Sequence, residues 1–420
     1  MFERFIKFLI VIFSNAFFIK NVSGISNVPK DGPYIIVANH ASYFDHFIIF
    51  AAIKRYTKNQ VYFLTKKEAF ESYLSRKWHT SMGAIPLNRG ATDVSAFKTV
   101  VNALKKGKII CIYPEGTRSP TGKVYQGKQG AIRMAKAANV PIIPIGLSGT
   151  FDILPRKRVW PTFHKATIQI GKPIYIPKDR NKEGFTEDLS MIMKILKDFT
   201  GNNDEKLKKL PPDEPTLIKE MLQVATEWNE RGIRQYPQDP FSPKILHKRV
   251  IYICDQVLKK NAYHPIALFE KSRAIGRLGL NSKSKIKKIH YLMRGRKILE
   301  RAIHFNKSYA PNYYALAVWY MEMPKVLGGS HVKAINFYEK ANELGREIYI
   351  MLGYAKSLLL VGDSDKAKNV LLDLITKLPT NSIVDARRKI EALAMVMRID
   401  PSFQLEEKVM SQCLLNYQNG

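Results

Sequence analysis

The stretch Tyr34-Ile35-Ile36-Val37-Ala38-Asn39-His40-Ala41-Ser42-Tyr43-Phe44-Asp45 decides how the first half of this chain folds. Its first five residues are apolar and mostly β-branched or aromatic, between Pro33 and Asn39, which predicts a strand over Tyr34–Ala38. His40 follows directly, and a side chain at the C-terminal end of a strand faces the crevice where α/β proteins bind ligands. Asp45 reaches one ring nitrogen of His40 if the chain turns into a helix between them. That bond sets the tautomer and stabilises the imidazolium formed on proton uptake, leaving the other nitrogen to take a proton from a hydroxyl. A structural histidine with a satisfied hydrogen bond shows the same pair, so its surroundings decide between the two readings.

Further strands are expected over 61–65, Ala84–Leu87, 109–113, 142–147 and Ala166–Ile170, with helices between them over 91–105 and Gly130–Ala138. The alternation implies an α/β domain around a mainly parallel sheet flanked by helices. Thr186 is placed to cap its last helix, whose apolar residues Leu189, Ile192, Met193, Leu196 and Phe199 keep a helical spacing. Residues 201–215, rich in Pro, Asn, Asp and Lys, read as a linker, and the pattern after it is helical to the end. The resulting division is an interfacial helix over 1–20, a domain over 21–200, the linker, and an all-α domain over 216–420. Ala334 and Ala341 recur as Ala367 and Leu374, 33 residues later, and Ala302 ends an earlier partial unit. That period is tetratricopeptide-like, with small residues that let two helices approach closely. Leu327-Gly328-Gly329 reads as an insertion between helices.

Two more segments surround the His–Asp pair. Gly83-Ala84-Ile85-Pro86-Leu87-Asn88-Arg89 puts Arg89 just past a second strand, and Tyr113-Pro114-Glu115-Gly116-Thr117-Arg118-Ser119 follows a third. All three strands present these residues to one rim of one sheet. Arg supplies a planar fork suited to phosphate oxygens. Gly116 allows close backbone approach with free N–H groups.

With these segments in hand, the chain resembles the glycerophosphate/lysophosphatidate acyltransferase family, of the 1-acylglycerol-3-phosphate acyltransferase type. Asn39, His40, Ser42 and Asp45 match every fixed position of the first family motif, Asn-His-x-Ser-x-x-Asp. Gly83, Ile85 and Arg89 match the second, where Asn88 replaces a common Asp. Tyr113 through Ser119 match the third with Tyr for Phe, and Val140, Pro141, Ile142, Pro144 and Ile145 meet the fourth. The resemblance spans roughly residues 20–200 and says nothing of the helical half. It implies that His40 is the general base and Asp45 its partner. It also implies that Arg89 and the third-motif residues Glu115, Gly116, Thr117 and Arg118 hold a glycerol phosphate. The fourth motif, with Pro141, contributes to the acyl-donor pocket, and Asn39 and Ser42 support the motif. The acyl group would pass directly from acyl-CoA or acyl carrier protein to the acceptor hydroxyl. No metal, acyl-enzyme or bound cofactor is implied.

Lys and Arg total 67 against 36 Asp and Glu, a formal charge of +31 that asks for an anionic counterpart. Lys66, Lys67, Arg76, Lys77, Arg156, Lys157 and Arg158 lie near the motifs, where lipid headgroups, coenzyme A phosphates or an acidic carrier protein suit them. No nucleic-acid motif accompanies the charge, so no nucleic-acid partner is expected. Cys111, Cys254 and Cys413 are far apart, which argues against a metal or disulfide framework. The apolar run from Phe5 to Ile19 is short of the roughly 20 residues a span needs and has a poor cleavage site, so it is expected to lie in the membrane interface. The resemblance implies an O-acyltransferase for a lysophosphatidate-like acceptor, the apolar run and basic charge place it at the cytoplasmic face of a membrane, and the repeats are expected to offer a surface to a protein partner. Two alternatives remain: another lysolipid or glycerol 3-phosphate as acceptor, or a membrane-tethered scaffold with a silent catalytic fold.

Overall fold

The computed structural model describes residues 2–54, 56, 57, 59–87, 93–156, 158–201, 213–234, 241–380 and 383–403. The chain divides into two compact units, the first running to Lys219 and the second beginning at Glu220. In chain order the first unit contains α1 (Phe2–Phe13), β1 (Ile19–Ser23), β2 (Tyr34–Ala38), α2 (Asp45–Ile53), β3 (Val61–Lys66), α3 (Tyr73–Ser81), β4 (Ala84–Leu87) and α4 (Asp93–Lys105). It continues with β5 (Ile109–Ile112), α5 (Gly130–Ala138), β6 (Ile142–Ser148), α6 (Thr150–Ile153), β7 (Ala166–Ile170) and α7 (Lys182–Phe199). The strand order is β1-β7-β6-β2-β5-β3-β4, parallel throughout except where β6 meets β7.

The pleat of β2 explains why this sheet is covered twice. Tyr34, Ile36 and Ala38 pack on one face with Ile48, Ile49 and Ile53 of α2. Ile35 and Val37 point the other way, into Leu104 of α4, Ile132 of α5 and Leu196 of α7. All five β2 residues are essentially inaccessible, and each large one contributes about 1.5–3 kcal/mol by leaving water. The central strand therefore cannot shift register without moving both layers, which makes its C-terminal end a rigid mount.

Three expectations need correction. Asn181, whose side chain accepts from Gly184 N, caps α7, so Thr186 lies inside that helix. The run expected as one interfacial helix ends as an α-helix at Phe13, passes through a π-helical turn over Ser14–Phe18, and enters the sheet as β1. The expected boundary at residue 20 thus cuts a strand that pairs with β7. Most of the expected linker lies outside the described residues, and its last two positions, Glu214 and Pro215, already belong to a helix.

The second unit contains α8 (Glu214–Arg234), whose first residues belong to the first unit, α9 (Pro243–Leu258), α10 (Pro265–Leu280), α11 (Lys285–Phe305) and α12 (Ala310–Glu322). It ends with α13 (His331–Leu344), α14 (Ile348–Leu360), α15 (Ser364–Lys377) and α16 (Ile383–Ile399). Among the described residues it has no strand. Ala334 and Ala341 of α13 and Ala367 of α15 are fully buried, as are Leu371 and Leu374. Ala334, Tyr338, Leu358 and Ala367 share one cluster, so small residues at the repeated positions do mark close helix contacts. A short 3-10 turn, Lys325–Leu327, leads into the insertion between α12 and α13 and ends on Gly328 at φ +92°.

Candidate active site

β2 lies between β6 and β5, and the chain crosses from β5 to β6 over it, so His40 stands where the connections diverge to either side. Asp45 is the first residue of α2. This makes the turn between strand and helix only a few residues long, which brings Asp45 back onto His40. His40 Nδ1 lies 2.8 Å from Asp45 Oδ2. The same oxygen accepts the backbone N–H groups of Ala41 and Ser42, each at 2.8 Å. An ionised carboxylate in that setting requires a proton on Nδ1, which leaves Nε2 as the basic nitrogen.

His40 is gripped through its main chain as well. Its N–H donates to Glu115 Oε1 at 2.8 Å. Its carbonyl accepts Ser119 N at 2.7 Å. The imidazole stacks on the Tyr113 ring with centroids 4.0 Å apart and planes 14° apart. First and third motifs therefore form one assembly around a single residue. Asn39 completes it by bridging to the next strand, donating to Leu147 O at 3.0 Å and accepting Leu147 N at 2.7 Å. Ser42 donates through Oγ to Leu154 O at 2.9 Å. Pro141 accepts Ile35 N at 3.0 Å, which links the start of the fourth motif to β2.

Two of the third-motif groups, the Glu115 carboxylate and the Gly116 N–H, are engaged within the protein. Glu115 Oε2 accepts Tyr125 N at 3.0 Å while Oε1 accepts His40 N, so both carboxyl oxygens hold loop backbone. Burial pushes its pKa up to about 8, against the lowering effect of those two N–H bonds. The Gly116 N–H, expected to be free, donates to Tyr113 O at 3.0 Å. Gly116 is needed for its φ of +72°, which closes that turn. Thr117 is half-buried beside it. Arg118 stacks on Tyr43 with its guanidinium carbon 3.4 Å from the ring centroid. Its buried Nη1 has no hydrogen-bond partner among the described residues. A preoriented guanidinium with an unused donor suits an anionic oxygen. Arg89 lies outside the described residues. Next to β4 a cleft of about 800 Å³ is lined by Lys67, Phe70, Arg76, Thr80, Pro86 and Thr99, with Glu68 and Glu71 offsetting its two cations.

Sequence reasoning gave no role to three neighbours. His46 lies 5.7 Å from His40 by ring centroids and 4.8 Å from Phe63. Burial, helped by the nearby His40, lowers its pKa to about 3 and keeps it neutral. Tyr113 occupies the motif's Phe position, and its hydroxyl lies against the Cys111 thiol with no nitrogen or oxygen partner among the described residues. Tyr43 supplies the face under Arg118. Only position signals them: each is next to, or inside, a motif. No group of three or more metal-ligating side chains occurs among the described residues.

The family model described as Acyltransferase matches residues 20–148. The chain is 31% identical over 195 residues to the 1-acyl-sn-glycerol-3-phosphate acyltransferase of Streptococcus pneumoniae, covering 44% of this chain and 67% of that one. It spans about half the length of two chloroplast enzymes of the same name, 52% of one from Brassica napus and 43% of one from Arabidopsis thaliana, at 29% and 33% identity. The crystal structure of the Thermotoga maritima 1-acyl-sn-glycerophosphate acyltransferase aligns at 27% identity with a TM-score of 0.40, over 47% of this chain and 78% of that one. A thermophilic TPR protein of Thermus thermophilus aligns at 18% identity with a TM-score of 0.32, over 42% of this chain and 99% of that one.

Proposed function

This chain belongs to the acyltransferase family that contains the 1-acyl-sn-glycerol-3-phosphate acyltransferases, and from that premise we propose that it acylates a lysophosphatidate-like glycerolipid from a thioester donor at a membrane surface. The observation that carries the reading is the fourfold hold on His40, by Asp45, Glu115, Ser119 and the Tyr113 ring, which leaves Nε2 without a hydrogen-bond partner among the described residues. In the reaction Nε2 takes the acceptor hydroxyl proton as its oxygen bonds to the thioester carbonyl carbon. The tetrahedral intermediate collapses with cleavage of the C–S bond. The imidazolium returns the proton to the leaving thiolate, so ester and thiol form with no net proton change at the enzyme. Arg118 binds the acceptor phosphate through its unused donor, and Arg89 joins it. The acceptor reaches the site from the bilayer, in keeping with the exposed apolar face of α1. No helix among the described residues is long and apolar enough to cross a membrane.

A thiol-release assay across lysophosphatidate, other lysolipids and glycerol 3-phosphate tests this reading. Arg118→Ala should raise the acceptor KM about 10- to 100-fold, the worth of a charge-assisted bond, with the donor KM nearly unchanged. A raised donor KM with an unchanged acceptor KM would reassign Arg118 to the donor.

For the helical unit we propose an acidic protein partner. Tyr309, just before α12, with Tyr314 of α12 and Tyr349 of α14 form a cluster with Arg277 of α10 and Arg388 of α16, beside Arg273 of α10; Arg273 is paired with Glu230 and Glu270, and Arg388 with Asp385. Tyr314 and Tyr349 meet edge-on at 4.7 Å, Arg388 lies 5.6 Å above the Tyr349 ring, and burial raises the Tyr314 pKa against the lowering effect of Arg388, Arg277 and Arg273. Helical repeats present such alternate-helix faces to extended chains. An Asp/Glu-rich peptide should therefore bind by fluorescence anisotropy and lose at least about tenfold in affinity when Arg277 and Arg388 are both changed to Glu. Equal binding by both proteins would exclude this face.

A further inference from the structure

An exposed apolar surface among the described residues of the first unit is built from two segments far apart in sequence. On α1, Phe5, Phe8, Leu9 and Ile12 are exposed at successive turns, while Ile10 and Val11 face the core. The stripe continues through Phe13 and Phe17. Between α6 and β7, residues 158–164 expose Val159 and Trp160 to 79% each and Phe163 to 81%. Phe163 joins the two segments: its ring stacks parallel to Phe18 at 6.0 Å and meets Phe17 edge-on at 6.1 Å.

This loop springs from the residue that holds the catalytic turn. Leu154 O accepts both Tyr43 N at 3.0 Å and Ser42 Oγ at 2.9 Å. Thr162 N closes the loop base on Ile153 O at 2.9 Å. The aromatic loop and the His40–Asp45 turn are therefore fastened to one short piece of backbone. A small loop carrying Trp and Phe beside Arg156, Arg158 and Lys165 has the composition that favours a bilayer interface, with rings in the acyl boundary and cations at anionic headgroups.

We propose that residues 158–164 are a second bilayer anchor, which acts with the exposed face of α1 to seat the His40–Asp45 turn on an anionic phospholipid surface. The proposal rests on the reading of the chain as an enzyme with a lipid acceptor, but its first readout does not require activity. Charge complementarity and continuity with the α1 stripe select a bilayer as the occupant.

The test uses the full chain and a Trp160→Ala/Phe163→Ala double variant, whose changes lie at exposed rings. Binding to vesicles of phosphatidylcholine with phosphatidylglycerol is measured by co-sedimentation. The double variant should bind about 10- to 100-fold more weakly, as expected when two interfacial rings are lost. Turnover should fall similarly on acceptor embedded in vesicles and stay within about twofold on a monomeric short-chain acceptor, because the base and its partners are untouched. Unchanged vesicle binding overturns the proposal. So does an equal loss on both acceptor forms, which would make the loop a support for the catalytic turn rather than an anchor. Loss of self-association in sedimentation velocity, with vesicle binding retained, would identify the surface as an interface between copies of this chain. Weakened vesicle binding in an enzyme inactive on every acceptor would uphold the anchor and sink the assigned reaction.

Discussion

His40→Ala lowers acyl transfer by roughly 10²–10⁴-fold in the expected outcome, the usual worth of a positioned general base. The loss falls on kcat, because no other described group combines Nε2's freedom with a buried carboxylate behind it. His46 does not substitute: burial lowers its pKa to about 3, which makes it a weak base, and among the described residues it has no carboxylate hydrogen bond. The fold should survive, since the ring is partly exposed and Asp45 keeps its bonds to Ala41 N and Ser42 N. Thiol release by the purified variant, with circular dichroism as the folding check, decides the matter. Near-normal turnover in a folded variant would mean that another group takes the proton.

Asp45→Asn is the second large effect, and its geometry separates charge from structure. One carboxylate oxygen, Oδ2, takes all three bonds, while Oδ1 is buried without a hydrogen-bond partner among the described residues. An asparagine can set its carbonyl oxygen where Oδ2 lies and its amide nitrogen where Oδ1 lies. The turn is kept and the negative charge that stabilises the imidazolium is lost. The expected result is a folded protein with a kcat lowered roughly 10²–10⁴-fold, comparable to the loss of the orienting carboxylate in other His–Asp pairs. Asp45→Ala should in addition lose about 2–4 kcal/mol of stability, because it leaves backbone donors without their acceptor. Thermal melts of both variants beside their rates test the separation. An Asp45→Asn enzyme with wild-type kcat would show that Asp45 serves only to build the turn.

Much of the architecture was legible because local pattern and tertiary demand agree. Tyr34–Ala38, Ala84–Leu87, Ala166–Ile170 and the helix Gly130–Ala138 have the bounds expected from their apolar runs and flanking turn residues. A continuous apolar run suits a central strand whichever neighbours it acquires. β1 was not legible, because Ile19-Lys20-Asn21-Val22-Ser23 is the polar end of an apolar segment and becomes a strand only by pairing with β7. The start of α7 was misread for a related reason: both Asn181 and Thr186 are able to cap, and only the extra turn packed by Phe185 on the sheet separates them.

The sequence by itself determined that His40, Asp45 and the third-motif turn meet, since the His–Asp spacing and that turn are local features that short loops after parallel strands bring to one rim, whereas His46, Tyr43 and the Tyr113 ring joined them only in the folded chain. What those residues do to each other was decided by tertiary structure. Glu115 has the same chemistry whether it faces a phosphate or a backbone N–H. Only the parallel pairing of β2 with β5 places it against His40 N, from 75 residues away in sequence. Likewise, Phe17 and Phe163 carry no mutual signal along the chain. They form one surface because β1 and β7 are neighbours in the sheet, and hydrophobic contact depends on proximity in space and is indifferent to separation along the chain.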